Sequence, residues 1–546
     1  MKIQTFKTAV MLVVVTLLCN FKSQSQSWTT FTYTASNDTV LDQATKCVYD
    51  GSGNSYWAAR FYISRTTRVG YMLWKLDRFG NIAAKQVITT SVIGSTMQPI
   101  KDLKIISGNL YVLFDLKKSI NGIDYDVCTQ KYDLSLVKKW ESVYNNPNSK
   151  DDFGIMLGEG PKSGIITSIS TGQDGGIINY SRTNGSIINS YFYGVGNNQK
   201  ENIRKTILTS GGVYFAGQDK SLLTGTSDMF IAKLDTNLSL SWNKVFDASA
   251  GSVYDEAIDI YADASGDILV TGNFEFSTGA TRVFYTKYND TNGSRLWIRR
   301  LTNDDNTAVA VFANSSANII SVVNGNPCRY VNINGNTGAL IASKGIFTNS
   351  SINFQIADCI NGTNDLYITG NFDSTYNSGG NSVTETGVII SKLDGTGSRL
   401  WNEKISTTGQ QTYIASDIAI RGNSRLCFIV NITDLTVANK TTHSIFASIS
   451  ASTGNRLAAE VSENSDLTLY PNPAKDFLTI RMNKTIGTEA LVEIYNYTGQ
   501  LIARNTVYFA DEGSVQTVDI SGLSAGTYML RLQSGNEQFT QTFIAE

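Results

Sequence analysis

Asp228-Met229-Phe230-Ile231-Ala232-Lys233-Leu234-Asp235 is followed, nine residues after Lys233, by Trp242, and later by Gly266-Asp267-Ile268-Leu269-Val270-Thr271-Gly272-Asn273-Phe274. Short apolar, β-branched and aromatic runs bounded by Gly, Asn and Asp read as strands joined by tight turns. The phrase returns. Asn364-Asp365-Leu366-Tyr367-Ile368-Thr369-Gly370-Asn371-Phe372 precedes Gly387-Val388-Ile389-Ile390-Ser391-Lys392-Leu393-Asp394, with Trp401 nine residues after Lys392. Lys131 to Trp140 is again nine residues, and Lys287 to Trp297 is ten. Degenerate copies stand at Trp74 to Asp77, Tyr180 to Thr183, Tyr330 to Asn334 and Phe446 to Ser450. Eight copies thus recur between about residue 71 and residue 450, at intervals of roughly 45–60 residues.

Before each copy lies a second strand, and before that a short run of small and aliphatic residues such as Ala257 to Ala262 or Ala415 to Ile420. The unit is strand, turn, strand, variable loop, strand, Gly-rich turn, strand, or four strands per ~50 residues. One four-stranded twisted sheet cannot bury both faces. Sheets packed side by side around an axis cover each other's apolar faces, and the recurring Trp is large enough to fill the gap between neighbours. The expectation is an all-β chain: a β-propeller of about eight blades, alternatively seven, over residues 26–460. Trp28 to Ser36 reads as a lone outer strand that either closes the ring against the last repeat or caps the first; a fourth strand of the last repeat is expected near Arg456 to Val461.

Asp228 through Gly272 resembles the secreted bacterial β-propeller repeat family called SBBP, with its Asp-led strand, Lys-Leu-Asp, Trp and Thr-Gly. The resemblance covers roughly residues 28–460 and implies a propeller but no single activity.

At 546 residues, with 41% apolar and only 17% charged side chains, the chain folds rather than staying disordered. A net charge of −2 and no cationic cluster larger than Lys138-Lys139 or Arg299-Arg300 argue against a nucleic-acid partner. Lys2 and Lys7 precede the mostly apolar run Ala9 to Leu18, which reads as a signal peptide spanning 1–25, cut before Gln26. That run is shorter than the ~20 residues a spanning helix needs, and no second run of spanning length follows. Cys19 is not read as a lipid anchor, because Leu18 stands where a small residue is wanted. Cys47, Cys128, Cys328, Cys359 and Cys427 remain, mostly inside apolar strands, and read as buried small hydrophobes. One disulfide between neighbouring repeats stays open, with no pairing legible.

After a polar linker at 461–466 come Tyr470-Pro471-Asn472-Pro473 and alternating strands around Leu478, Val492, Gly499, Val518, Gly526, Tyr528 and Leu530, a small Ig-like β-sandwich over 467–546. This block resembles the type A sorting domain of type IX secretion substrates of Bacteroidota. Tyr470, Pro471, Asn472, Pro473, Gly499, Gly526 and Tyr528 carry the match. The resemblance implies a type IX secretion machinery as partner, passage through the periplasm, removal of the domain, and a secreted or cell-surface destination. The C-terminal Thr542 to Glu546 departs from it by lacking a basic residue.

Chemistry is sparse. The single histidine, His443, reads as a loop residue and cannot build a His metal cluster. Asp102, Asp259, Asp358 and Asp417 hold one place in four first strands, and Lys46 and Lys205 hold it in two others. First strands line a propeller's central channel, so these six are the candidate channel-lining residues. Paired carboxylates there could cleave glycosides or hold calcium; the simpler reading is that they tie down turns through backbone hydrogen bonds. Asp50 to Asn54 and Asp263 to Asp267 fall short of a calcium loop's ligand count and read as turns. The turns Asp290 to Trp297 and Gly395 to Trp401 resemble the tryptophan-docking turns of quinoprotein dehydrogenases, but the vicinal Cys pair common there is absent. The repeated Ser-x-Asp turns of sialidases are absent as well. No catalytic, cofactor or metal residue is therefore assigned. The expectation is a monomeric binding protein whose glycan or protein ligand meets long loops such as Asp373 to Thr386 and Leu116 to Asp126, with a carboxylate-based glycan hydrolase or lyase as the competing class.

Overall fold

The computed structural model describes residues 30–31, 34–35, 39–63, 69–77, 82–92, 95–118, 124–146, 151–172, 174–194, 199–221, 226–248, 252–276, 279–302, 306–315, 318–348, 352–362, 365–378, 381–407, 411–421, 425–434, 441–450, 467–470, 474–482, 489–496, 500–509, 515–524, 526–535 and 537–545. The signal segment, most of Trp28 to Ser36, the expected strand near Arg456, the 461–466 linker, Pro471 to Pro473 and Gly499 lie outside the described residues.

Two units result, Met1–Ala459 and Glu460–Glu546. In the first, the repeat folds as antiparallel meanders, named sheets 1 to 8 in chain order. Their first strands are Thr39–Tyr49, Ser95–Ile106, Asp152–Gly160, Gln199–Thr209, Ser252–Ala262, Thr307–Ser315, Ile352–Asn361 and Gln411–Arg421. Sheets 1 to 7 each take four consecutive strands, and Thr34–Ala35 adds to the first strand of sheet 1. Sheets 4 and 5 are joined at one parallel bridge, Ser227 to Tyr254. Sheet 8 has three consecutive strands ending in Thr441–Ser450, and its fourth place is taken by Thr30–Phe31 from the start of the chain.

Apolar clusters bind each sheet to the next. Tyr56 and Leu73 of sheet 1 meet Leu110 and Phe114 of sheet 2; Tyr111 and Trp140 of sheet 2 meet Ile165 and Tyr180 of sheet 3. The series runs on through all eight, and Trp57 and Trp74 of sheet 1 pack with Cys427 and Ile429 of sheet 8. Fully burying one such large apolar side chain contributes about 1.5–3 kcal/mol, so the stacking faces are where the unit gains its stability.

The Lys/Trp spacing is a register. Lys131, Lys233, Lys287 and Lys392 lie directly across from Trp140, Trp242, Trp297 and Trp401 on the fourth strand. Three of these indoles reach the third-to-fourth-strand turn of the next sheet: Trp140 donates to the Arg182 carbonyl (3.1 Å), Trp242 to Asp290 (2.9 Å) and Trp297 to Gly335 (3.0 Å). Each rests on a turn glycine of positive φ, namely Gly185, Gly293 and Gly338, where a Cβ would come within 2.6–2.7 Å of the ring. Across the second strand stands a tyrosine the sequence pattern did not reveal. Tyr111, Tyr214 and Tyr367 lie beneath Lys131, Lys233 and Lys392, with Lys Nζ 5.3–6.0 Å from the ring centroid.

Three expectations need correction. His443 lies in the strand Thr441–Ser450, opposite Ile432, not on a loop. Asp373 to Thr386 is not a long loop: Leu366–Ser378 and Asn381–Leu393 pair continuously to Ser378 opposite Asn381. Leu116 to Asp126 is likewise paired out to Lys118 opposite Asp124. Thr, Tyr and Val flanking Gly379-Gly380 favour a projecting hairpin even though the stretch is polar.

The second unit has two sheets. One contains Leu467–Tyr470, Phe477–Met482 and Val515–Asp519; the other orders Leu501–Tyr508, Glu489–Asn496, Gly526–Ser534 and Glu537–Ala545. Leu469, Leu478 and Ile480 of the first share a core with Val492, Ile494, Leu530 and Leu532 of the second. Of the sorting-motif residues described here, Tyr470 ends the first strand, and Gly526 and Tyr528 open the strand Gly526–Ser534, where the Tyr528 hydroxyl donates to the Ser524 carbonyl (2.9 Å).

Candidate functional site

All six charged residues singled out from sequence occupy one structural position. In each of the eight sheets the ladder between first and second strand slips by a residue, and the first residue after the slip is Lys46, Asp102, Met156, Lys205, Asp259, Ala310, Asp358 or Asp417. A β-bulge leaves backbone groups on that strand without ladder partners, and buried amides need acceptors. The aspartates supply them across the seam to the following sheet. Asp102 accepts from the Leu157 amide (2.8 Å), Asp259 from Val311 (3.0 Å), Asp358 from Ile418 (3.0 Å), and Asp417 from Cys47 (2.7 Å). Every acceptor meets the residue just after the equivalent position on the next strand. Met156 does the same with its thioether, facing the Thr206 amide at 3.1 Å.

A second set of clasps lies on the other side of the bulge. Asp115, Asn273, Asn324 and Asn371, on second strands, accept from the amides of Gly154, Ala308, Ile356 and Ala415 at 2.7–2.8 Å. Asn273 and Asn371 are the Asn of the recurring Thr-Gly-Asn-Phe, whose role the sequence did not disclose. The Gly of that phrase also finds its reason: a Cβ on Gly272 would stand 2.1 Å from the Glu256 carbonyl oxygen, and one on Gly370 2.2 Å from that of Gln355.

The lysines answer two of the carboxylates. Lys46 pairs with Asp417 and Lys205 with Asp259, each at 3.1 Å. The carboxylates are largely buried, while the Lys46 and Lys205 side chains keep 33% and 40% of their surface exposed. Burial alone would lower the Lys46 pKa, but the charges of Asp417, Asp102 and Asp358 outweigh it and hold it above the usual lysine value. Lys205 is likewise raised, first by Asp259 against its own burial, and also by Asp102. Asp358 is pushed up to about 7 by burial and by the charge of Asp417, against the pull of Lys46 and two backbone amides. Asp417 is raised by burial, with Lys46 and the Cys47 amide opposing. The charges of sheets 2, 7 and 8 thus reach Lys46 on sheet 1, and those of sheets 2 and 5 reach Lys205 on sheet 4.

Among the described residues, no group of three or more His, Cys, Asp and Glu side chains is placed to hold a metal ion. The turn readings of Asp50 and Asp263 fit what surrounds them. Asp50 accepts from the Ser52 and Asn54 amides (both 2.9 Å), and Asp263 accepts from Ser265 and Asp267 and pairs with Lys287 (2.7 Å). Apart from these seams, the longest pairing of second and third strands among the described residues is that of sheet 7. Tyr376 is exposed there, and Thr375 and Thr384 meet across the strands at 3.2 Å.

Residues 468–546 match the family described as the secretion system C-terminal sorting domain. A sorting domain of the type IX kind is thus present; it supports export of the chain and implies engagement of the type IX translocation machinery. No curated protein matches the chain. Among solved structures it is similar to puromycin hydrolase (TM-score 0.41, 10% identity, 72% of this chain and 59% of that one). It is similar also to the β-propeller domain of the Trilobed protease from Pyrococcus furiosus (TM-score 0.37, 10% identity, 67% and 98%) and to polysaccharide lyase Uly1 (TM-score 0.40, 11% identity, 68% and 93%). The chain spans 59% of the length of the puromycin hydrolase.

Proposed function

We propose that residues 26–460 form a closed eight-bladed β-propeller of the SBBP-like kind, exported to the cell surface or medium, where it works as a monomeric binding scaffold. In this reading the signal peptide 1–25 and the sorting domain 467–546 are both removed on the way. Closure is supported by the N-terminal strand that completes sheet 8 and by the apolar seam between sheets 8 and 1. The six charged residues then line the central channel.

The observation that carries the binding reading is the engagement of the four aspartates. Each gives one oxygen to a backbone amide of the next sheet, and three also pair with lysine: Asp102 with Lys104, Asp259 with Lys205 and Asp417 with Lys46. Carboxylates that cleave glycosides must instead reach the substrate's scissile oxygen and anomeric carbon. In every sheet, antiparallel order puts the second-to-third-strand hairpin at the same end as the connection to the next sheet. The projecting hairpin of sheet 7 stands at that end, with exposed Tyr376 as an amphipathic contact.

The test is binding of the exported protein to a glycan array and to whole cells, beside Tyr376→Ala. Loss of binding with an unchanged melting temperature supports the scaffold. Turnover of a polysaccharide that disappears in Asp358→Asn refutes it in favour of a hydrolase or lyase. One observation favours that second reading: a carboxyl raised to about 7 is suited to general-acid work.

A further inference from the structure

Seven of the eight packed seams join sheets that follow one another in the chain. The eighth joins sheet 1 to sheet 8 and is closed by residues hundreds of positions apart, so the loss of chain entropy on closing is greatest there. At this seam Cys47 and Cys427 face each other with their sulfurs 3.5 Å apart, across 380 positions of sequence. Cys47 follows Lys46, and its amide is fixed on Asp417 at 2.7 Å. Cys427 lies opposite Ala419, two residues beyond Asp417 on the same strand. The clasp that docks the sheets therefore also sets the relative position of the two cysteines. Both sulfurs sit in an apolar pocket with Trp57, Met72, Trp74 and Ile429.

We propose that Cys47 and Cys427 are joined as a disulfide in the exported protein, a covalent lock between the first and last sheets. The proposal rests on export and not on the binding reading. A disulfide needs its sulfurs at ~2.05 Å, so closure asks for a rotation of two short side chains by roughly 1.5 Å. Compartments outside the cytoplasm favour the oxidised form. The oxidant is the disulfide of an exported thiol oxidase. A thiolate of one cysteine attacks it to give a mixed disulfide, and the other cysteine displaces the oxidase. The Cys47–Cys427 bond forms, the oxidase disulfide breaks, and two electrons and two protons end on its dithiol.

Burial fixes the order of events. The Cys47 thiol is raised well above its usual pKa by burial and by Cys427 beside it, and both cysteines are buried once sheets 1 and 8 have docked, out of reach of a protein oxidase. Exchange therefore precedes the docking of sheet 8. Cys128 and Cys359 lie on sheets 2 and 7, Cys328 just precedes the strand Arg329–Asn334 of sheet 6, and all three stay as thiols; Cys328 donates to the Phe354 carbonyl at 2.8 Å.

The test takes the full chain recovered outside the cell, denatures it in guanidinium with iodoacetamide and no reductant, and maps its peptides by mass. Expected are alkylated Cys128, Cys328 and Cys359 and one linked peptide pair, Cys47 with Cys427, that vanishes on prior reduction. Reduction should lower the apparent melting temperature by roughly 2–5 °C and leave the Cys47→Ser/Cys427→Ser double variant unmoved. Five alkylated cysteines, or a linkage between any other pair, overturns the proposal, whatever the binding assays report. Retention of the chain inside the cell overturns its premise.

Discussion

Replacing Trp242 and Gly293, separately and together, tests whether the recurring indole is what docks one sheet on the next. Trp242 is 8% exposed, lies 6.1 Å from the ring of Tyr214, and donates to the Asp290 carbonyl of the next sheet at 2.9 Å. Truncating a buried Trp to Ala costs about 3–5 kcal/mol, and the lost hydrogen bond adds about 1 kcal/mol, the Asp290 carbonyl keeping the Lys233 ammonium as a donor (3.1 Å). Gly293→Ala carries two separate penalties. Its φ of +65° is the left-handed region, worth about 1–2 kcal/mol for a residue with a Cβ. Its Cβ would also stand 2.6 Å from the indole of Trp242, and overpacking of that kind costs about 1–3 kcal/mol.

Only the second penalty depends on the tryptophan. In the Trp242→Ala background the overlap is gone, so Gly293→Ala should cost just the backbone term. The double variant is then more stable than the sum of the single losses by about 1–3 kcal/mol. Urea unfolding followed by far-ultraviolet circular dichroism reads this directly. In a thermal scan, a unit of ~400 residues with ~2.1 cal/mol/K per residue moves by only about 1 °C per kcal/mol, so Trp242→Ala should lower the midpoint by about 4–6 °C. Additivity within about 0.5 kcal/mol would refute the docking argument, as would a cost for Trp242→Ala below that of an ordinary surface substitution.

Two further outcomes follow from the seams. Gly272→Ala would drive a Cβ to 2.1 Å from the Glu256 carbonyl oxygen, whereas Gly279 has φ +84° and open space around it. The first substitution should therefore cost several-fold more in melting temperature than the second, which bears only the backbone strain; equal losses would show that the bulge tolerates a side chain. Asp358 gives a pH test. Its folded pKa, raised to about 7, lies above the ordinary carboxyl value, so the folded chain holds the proton more tightly and stability falls as pH rises from about 4 to about 7. Asp358→Asn keeps an acceptor for the Ile418 amide and removes that loss. Its melting temperature should exceed the parent's more at pH 8 than at pH 4.5, and a gain independent of pH counts against the assignment.

What could be read from the sequence is what repeats as register. Lys and Trp nine apart are cross-strand partners around a short turn, and the spacing of ten at Lys287 and Trp297 reflects one more residue in the turn Asn289 to Ser294. The N-terminal segment is legible as strand because an outer strand without partners must find an edge; its two described pieces take one edge each, Thr30–Phe31 that of Thr441–Ser450 and Thr34–Ala35 that of the first strand of sheet 1. The seam chemistry was not legible. Hydrophobic periodicity reports which face a side chain takes, but it is blind to a one-residue slip in a ladder, and the slip is what exposes the amides of Leu157, Val311, Ile418 and Cys47. The six charged positions were found by their place in the strand. Four of them tie backbone, but that of strands in the next sheet and not the turns expected from the sequence. The hairpin of sheet 7 was misread because polar Thr, Ser and Asn look like loop until a Gly-Gly between two alternating runs is given its weight.

This bears on where activity should be sought. The letters that recur in the repeat — Lys, Trp, Thr-Gly-Asn and the first-strand Asp — each have a structural partner in a neighbouring strand or sheet. Residues that recur because they hold seams together carry no information about a ligand that binds once. Recognition of a particular glycan or protein must then come from positions that break the pattern, and among the described residues the long hairpin from Leu366 to Leu393, bearing exposed Tyr376, is paired furthest beyond it. If grafting an ordinary short turn onto sheet 7 in place of residues 374–385 left every binding property intact, the recognition face would have to be sought elsewhere, and the charged ring would regain its claim.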